Sequence, residues 1–179
     1  FASCVVVHGM GGTGKTVTAV AAVRDPAVRQ HYSEIYWLTV GADAMGEKIM
    51  QLQAIMYKQM TGKEAKAHDK DEHELQQMLV AAMAEKKRAL AVLDDPWMPA
   101  QVRALNPIDS SQGEHRLLIT TRIRDLVPKA SRVELPLMGK DEAVALLLDL
   151  AGVEKAEYTK EHPQAAWPPQ GAYAIVQEC

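Results

Sequence analysis

The sequence predicts an α/β fold: a parallel five-stranded sheet covered by helices on both faces, three layers in all, followed by the start of a helical subdomain. Three observations carry this. Five short apolar or β-branched runs alternate with segments of helical period, the pattern of a doubly wound parallel sheet. A glycine-rich turn, Gly9 to Thr16, lies between the first apolar run and the first helical segment. The 179 residues are 47% apolar and 24% charged, enough for one globular core and part of a second. The expected division is 1–135 for the sheet domain and 136–179 for a truncated helical subdomain.

The elements follow in chain order. Cys4-Val5-Val6-Val7 is the first strand. Val17 to Val23 is the first helix; valine is a mediocre helix former, so packing on the sheet must hold it. Arg24-Asp25-Pro26 ends it. Ile35 to Val40 is aromatic and β-branched, a buried strand closed by Gly41. Met45 to Met60 is a helix whose Ile49, Leu52, Ile55, Met56 and Met60 recur at helical spacing, as core rather than as a cofactor box. Glu72 to Lys87 is a second, with Leu75, Met78, Leu79 and Met83 on one face. The run His68 to Glu74 mixes histidines and acids. His68 and His73 would not share a helix face, so it reads as a solvated helix start with acids at the positive dipole end, not as a metal cluster.

Ala89 to Leu93 is continuously apolar, the mark of a strand buried on both faces. Pro99 to Leu105 is a short helix, and Arg116 to Thr120 the fourth strand. Arg132 to Leu135 is a short last strand before Pro136. Asp141 to Leu150 is an amphipathic helix stopped by Gly152. Val153 to Pro169 is a Pro-interrupted connector, and Gln170 to Cys179 begins another helix.

The turn Gly9-Met10-Gly11-Gly12-Thr13-Gly14-Lys15-Thr16, continuing into Val17, has the composition of a phosphate-binding loop. Its glycines can take positive φ, so successive backbone N–H groups can close around an anion. The helix behind the loop aims its positive end into the same space. Lys15 adds a charge for β- and γ-phosphates, and the Thr16 hydroxyl is placed to ligate Mg²⁺.

In a parallel sheet, ligands bind outside the carboxyl ends of the strands. The loop follows the first strand, Asp94-Asp95 the third, and Thr120-Thr121-Arg122 the fourth. If these strands are neighbours, the three sets share one cleft. Asp94 would then hold Mg²⁺. Asp95 would polarise the attacking water, and Pro96 would keep its backbone extended. Arg122 would sense or stabilise the γ-phosphate. Taken alone, Asp94-Asp95 is a solvated pair and Arg122 a surface arginine; the phosphate loop is what turns them into candidates.

Composition narrows the classes further. A net charge of −3 offers no basic excess for nucleic-acid phosphates, so no nucleic-acid partner is expected. No apolar run approaches membrane-spanning length, and no signal peptide is visible. Two cysteines, Cys4 and Cys179, show neither metal nor disulfide spacing and fit reduced thiols in a cytoplasmic protein. A chain opening on a strand at Phe1 is expected to be a piece of a longer one.

Val92-Leu93-Asp94-Asp95-Pro96-Trp97 resembles the "LLVLDDVW" motif of NB-ARC proteins, and Leu117 to Arg122 resembles their "ILVTTR" motif. Ile35 to Val40 is similar to the family's "W-V-V" strand. Val133 to Leu137 with the helix around 142–148 is similar to its lead into the helical subdomain. Order and spacing agree from Val5 to about Leu150. The resemblance is to the STAND class of P-loop ATPases, among them plant immune receptors and the apoptosome scaffold protein.

The resemblance implies a P-loop NTPase core that binds ADP at rest, opens and oligomerises on exchange for ATP, and resets by slow Mg²⁺-dependent hydrolysis. It implies Lys15, Asp95 and Arg122 as catalytic residues, Gly9 through Val17 as the nucleotide cradle, and Thr16 with Asp94 as metal ligands. It also implies helical and winged-helix subdomains as intramolecular partners. Two departures stand out. Pro96 replaces the usual Val, and the sequence ends at Val176 to Cys179, where the family's "GLPL" motif would begin, so the adenine pocket is incomplete within these residues. Two other readings stay open: a non-hydrolysing nucleotide-binding oligomerisation module, and a P-loop kinase of small molecules, which should carry clustered arginines that are not seen here.

Overall fold

A computed structural model describes residues 4–65, 70–109 and 114–178. His68 and Asp69 lie outside the described residues. The chain divides into two compact units, Phe1–Pro136 and Leu137–Cys179.

The first unit is built on five strands: β1 (Cys4–His8), β2 (Glu34–Thr39), β3 (Ala89–Asp94), β4 (Arg116–Thr121) and β5 (Ser131–Glu134). All neighbours are parallel, in the order β2-β3-β4-β1-β5. This order seats β1 between β4 and β5, so the loop leaving β1 is flanked by the tip of β4. Register makes the adjacency exact to the residue: His8 pairs with Thr121, and Thr120 with Asp94. The carboxyl ends of β3, β4 and β1 therefore form one contiguous rim.

Every residue of β3 is buried, as its unbroken apolar run requires. Helices α3 (Glu47–Thr61) and α4 (Glu72–Ala84) pack on each other, burying Ile49, Leu52, Met56 and Met60 from one and Leu75, Leu79 and Met83 from the other. Met78 is half-buried, and Ile55, expected on the same stripe, is exposed. Asp71 caps α4: its carboxylate accepts from the Glu74 N–H at 2.8 Å while Glu74 reaches back to the Asp71 N–H. Gln53 is fully buried on α3, and its amide donates to the carbonyls of Glu72 and Ala104, both at 2.9 Å. It ties α3 to the start of α4 and the end of α5 (Pro99–Leu105).

The structure corrects the sequence reading in several places. Helix α1 (Lys15–Arg24) packs on β4 and β1 as expected, but through a narrow face. Of its apolar residues only Ala19 is fully buried, with Val20 and Val23 half-buried. The helix ends at Arg24 as expected, but the chain does not become a loop. Asp25 accepts from the Ala27 N–H at 2.8 Å and Pro26 occupies the first position of a further helix, α2 (Pro26–His31). In α3 the first turn begins at Glu47, not Met45, and α4 ends at Ala84 before Lys87.

The second unit contains α6 (Lys140–Leu150), α7 (Lys155–Glu161) and α8 (Gln170–Glu178). Its small core joins Val144, Leu148 and Ala172, with Trp167, Tyr173 and Val176 packed against them. The Tyr173 hydroxyl donates to Asp141 at 3.0 Å, linking α8 to α6. The segment expected as a connector carries α7, which buries no residue and so leaves no apolar stripe in the sequence. Among the described residues no helix is long and apolar enough to cross a membrane.

Candidate functional site

Between β1 and α1 the glycine-rich loop is shaped by two left-handed residues, Gly12 (φ 81°) and Gly14 (φ 84°). Gly14 is the residue from which α1 departs, with its carbonyl accepting from the Thr18 N–H at 2.8 Å. The other two glycines answer to space instead. A Cβ on Gly9 would lie 2.5 Å from the Leu135 carbonyl oxygen, a backbone atom that cannot swing aside. A Cβ on Gly11 would meet the Arg122 guanidinium at 3.0 Å.

Inside the loop, the Lys15 ammonium donates to the Met10 carbonyl, which also accepts from the Thr13 hydroxyl at 3.0 Å. Lys15 is buried, and that burial lowers its pKa. The nearby Arg122 charge pushes it the same way, while Asp95 and Asp94 oppose both. A phosphate entering here would supply the counter-charge that this cation lacks. Met10 and Val17 are largely exposed on the loop and the first turn of α1.

Asp94 ends β3 and is buried. One of its oxygens, Oδ1, accepts from both the Thr16 hydroxyl at 2.7 Å and the Thr120 hydroxyl at 2.5 Å. Thr120 comes from the paired position on β4. Thr16 and Asp94 together offer hard oxygen ligands side by side, the donor set suited to Mg²⁺ held by one or two protein groups and substrate phosphates. The residues present therefore fit this metal.

Asp95 departs from expectation. Its backbone is not extended: it takes φ 57°, the left-handed region that aspartate tolerates better than most residues. Three backbone contacts fix it there. Its N–H donates to the Thr120 carbonyl at 2.9 Å, and the Thr120 hydroxyl lies at 3.1 Å from the same nitrogen. Its carbonyl accepts from Gly41 N–H at 3.1 Å. The turn is locked further by the Thr121 hydroxyl, which donates to the Pro96 carbonyl at 2.7 Å.

The Asp95 side chain meets two groups. Trp97 Nε1 donates to Oδ2 at 3.1 Å, and Arg122 Nε lies 3.9 Å from Oδ1. The Arg122 guanidinium sits over the Trp97 ring, 5.1 Å from its centroid. The loop, Asp94, Asp95 and Arg122 are thus drawn to one rim, as the strand-end argument anticipated.

Two residues of this site were not singled out in the sequence. Trp97 links Asp95 and Arg122; its position two residues after the acidic pair was the available signal. Gln101 is buried on α5, and its Oε1 accepts from the Trp97 and Met98 N–H groups at 2.7 and 3.0 Å. Its amide nitrogen donates to the carbonyls of Gly41 and Ala44, each at 3.0 Å. It clamps the segment after β3 to the segment after β2. No local pattern marks such a glutamine.

Comparison with known proteins agrees with this geometry. Residues 2–157 match the family model of the NB-ARC domain. The chain is 28% identical over 184 residues to apoptotic protease-activating factor 1 of Danio rerio, a match covering 98% of this chain and 14% of that protein. It is 28% identical over 156 residues to the disease resistance protein RPM1 of Arabidopsis thaliana, covering 82% of this chain and 17% of that one. The chain therefore spans less than a fifth of the length of these curated relatives. Among solved structures, the STAND protein with a tetratricopeptide repeat sensor from Pyrococcus horikoshii superposes with a TM-score of 0.53 at 20% identity, over 90% of this chain and 25% of that one. The ADP form of the ORC2 protein of Aeropyrum pernix gives 0.60 at 15% identity, over 98% and 51%. At these identities the two structures speak to the fold, that of a P-loop ATPase. The sequence match over residues 2–157 speaks to descent, and on it the chain belongs to the NB-ARC family, a nucleotide-binding P-loop NTPase module.

Proposed function

We propose that this domain is the ATP/ADP-binding switch of a cytoplasmic signalling NTPase, in which slow Mg²⁺-dependent ATP hydrolysis controls conformational change and oligomerisation. The observation that carries the reading is the contact between Thr16 and Asp94, which joins the loop's hydroxyl to a strand-end carboxylate at 2.7 Å. That pair is the metal-holding half of an NTPase site, beside a second carboxylate and an arginine.

The roles follow from position. The backbone of Gly9 through Val17 cradles phosphate, and Lys15 neutralises its charge. Thr16 and Asp94 hold Mg²⁺, which when bound offsets the negative charge that builds on the phosphate oxygens. Asp95 orients a water for in-line attack, and Arg122 reads the γ-phosphate. Slow turnover belongs to this reading, since hydrolysis resets the switch and does not process a substrate. The names of the relatives, an apoptotic protease-activating factor, disease resistance proteins and a signal transduction ATPase, support a signalling role. In that role, helical and winged-helix subdomains of the same chain and further copies of it are the partners.

One observation favours the second reading, a nucleotide-binding oligomerisation module without hydrolysis: Asp95 Oδ2 accepts from Trp97 Nε1 at 3.1 Å and the Arg122 charge stands 3.9 Å from Oδ1, and both make the carboxylate a weaker base toward water. Single-turnover ATP hydrolysis by the intact protein, beside Asp95→Asn, separates the two. The switch reading expects slow hydrolysis that Asp95→Asn reduces about 100-fold or more. Bound ATP that is never hydrolysed by the parent would replace it with the second reading.

A further inference from the structure

Trp97 is placed by the scaffold before its ring touches anything at the site. Its N–H donates to the buried Gln101 at 2.7 Å, and the preceding Pro96 carbonyl accepts from Thr121 at 2.7 Å. From that fixed backbone the indole N–H holds Asp95 Oδ2, and the ring face carries the Arg122 guanidinium. Arg122 in turn reaches over the phosphate loop at Gly11.

How Arg122 is held matters chemically. A carboxylate in close bidentate contact would orient a guanidinium but occupy its N–H donors. Here the Asp95 carboxylate stands 3.9 Å from Arg122 Nε, too long for a hydrogen bond. A ring face attracts the cation through its quadrupole and leaves the in-plane donors free. The arginine side chain is half-exposed, and without a platform it would sample many rotamers and lose entropy on binding.

We propose that Trp97 is a positioning residue for nucleotide discrimination: its ring pre-organises Arg122 over the loop, with donors unspent, so that a triphosphate is preferred to a diphosphate. This rests on the reading of Arg122 as the group that meets the γ-phosphate. The diphosphate does not extend to Arg122, so its affinity is indifferent to Trp97.

The test measures ATP and ADP affinities of the intact protein with Mg²⁺, using a non-hydrolysable ATP analogue, for the parent, Trp97→Phe and Trp97→Leu. Thermal unfolding serves as the fold control. Trp97→Leu should lower the ATP-over-ADP preference about tenfold, the scale of a partly desolvated cation–π contact. The loss should lie in ATP affinity alone. Trp97→Phe keeps a ring and loses the indole N–H, so it should retain the preference to within about twofold. An unchanged ratio in Trp97→Leu overturns the inference, as does a Phe variant that falls as far as the Leu variant. If Trp97→Leu does not fold, emission of Trp97 in a protein with Trp37→Phe and Trp167→Phe decides the matter. It should change with the ATP analogue and not with ADP, and equal changes with both overturn it. A parent that binds neither nucleotide removes the switch reading and this inference together; a parent that binds both, with the ratio unmoved in Trp97→Leu, removes only this inference.

Discussion

The Thr16 hydroxyl donates to Asp94 Oδ1 at 2.7 Å, joining residues 78 positions apart. One belongs to the first turn of α1 and the other to the tip of β3, two strands away in the sheet. Their meeting depends on β4 lying between β3 and β1, with Thr120 at the shared rim. Sheet order is thus what converts two separate sequence motifs into one site.

Asp94→Asn separates the structural duty of this carboxylate from its proposed metal-binding duty. The amide keeps an oxygen to accept from Thr16 or Thr120, so the stability loss should be about 1 kcal/mol. Asp94→Ala leaves both hydroxyls without their acceptor and should cost about 1–3 kcal/mol, read by urea denaturation. Both variants should lose the Mg²⁺ dependence of nucleotide affinity. Full Mg²⁺ dependence in Asp94→Asn would remove Asp94 from the metal site.

Gln101 should be among the costliest polar residues to truncate. Its amide serves two N–H groups and two carbonyls, and the residue is 2% exposed. Gln101→Ala strands those groups and should cost about 3–5 kcal/mol, a large share of a total of about 5–15. Denaturation of Gln101→Glu beside it gives a check. The carboxylate keeps the acceptor for Trp97 and Met98 but faces the Gly41 and Ala44 carbonyls with no donor, so it too should be strongly destabilised.

His115 gives the fold a pH dependence. It is buried at the start of β4, and its Nδ1 accepts from the Ala89 N–H at 3.2 Å, which requires that nitrogen to be unprotonated. Burial lowers its pKa below the ordinary 6.5; Glu114 opposes the shift and Arg116 adds to it. A base with a depressed folded pKa binds fewer protons folded than unfolded. Its contribution is therefore fully present above about pH 6.5 and is lost as pH falls below that value toward the folded pKa. Unfolding free energy followed from pH 7.5 down to pH 5.5 should fall more steeply for the parent than for His115→Gln. Parallel curves would contradict it.

What could be read from the sequence, and what could not, divides along a physical line. β3 was legible because burial on two faces demands a continuous apolar run, and the loop because positive φ at Gly12 and Gly14 demands glycine. Helices α2 and α7 were not, since neither buries a residue and so neither shows a periodic stripe. The backbone at Asp95 was misread because a local rule, the restriction before proline, lost to contacts from β4 and Gly41 that only the folded sheet provides. Gln101 was invisible for the same reason: its carbonyl partners after β2 are long-range, and a lone glutamine carries no spacing to betray it. Trp97 stands in the motif after the acidic pair, but its contact with Arg122 comes only with the folded sheet.

The most direct test of the central claim is to denature the intact, purified protein, identify any released nucleotide by chromatography, and carry Lys15→Ala through the same steps. Lys15 is the buried ammonium of the loop, and losing the proposed charge partner of phosphate should weaken binding by about 100-fold or more. The account predicts adenine nucleotide near one equivalent from the parent and none from Lys15→Ala, with both folded. A folded parent that releases no nucleotide and takes up none when supplied with ATP and Mg²⁺ would contradict it.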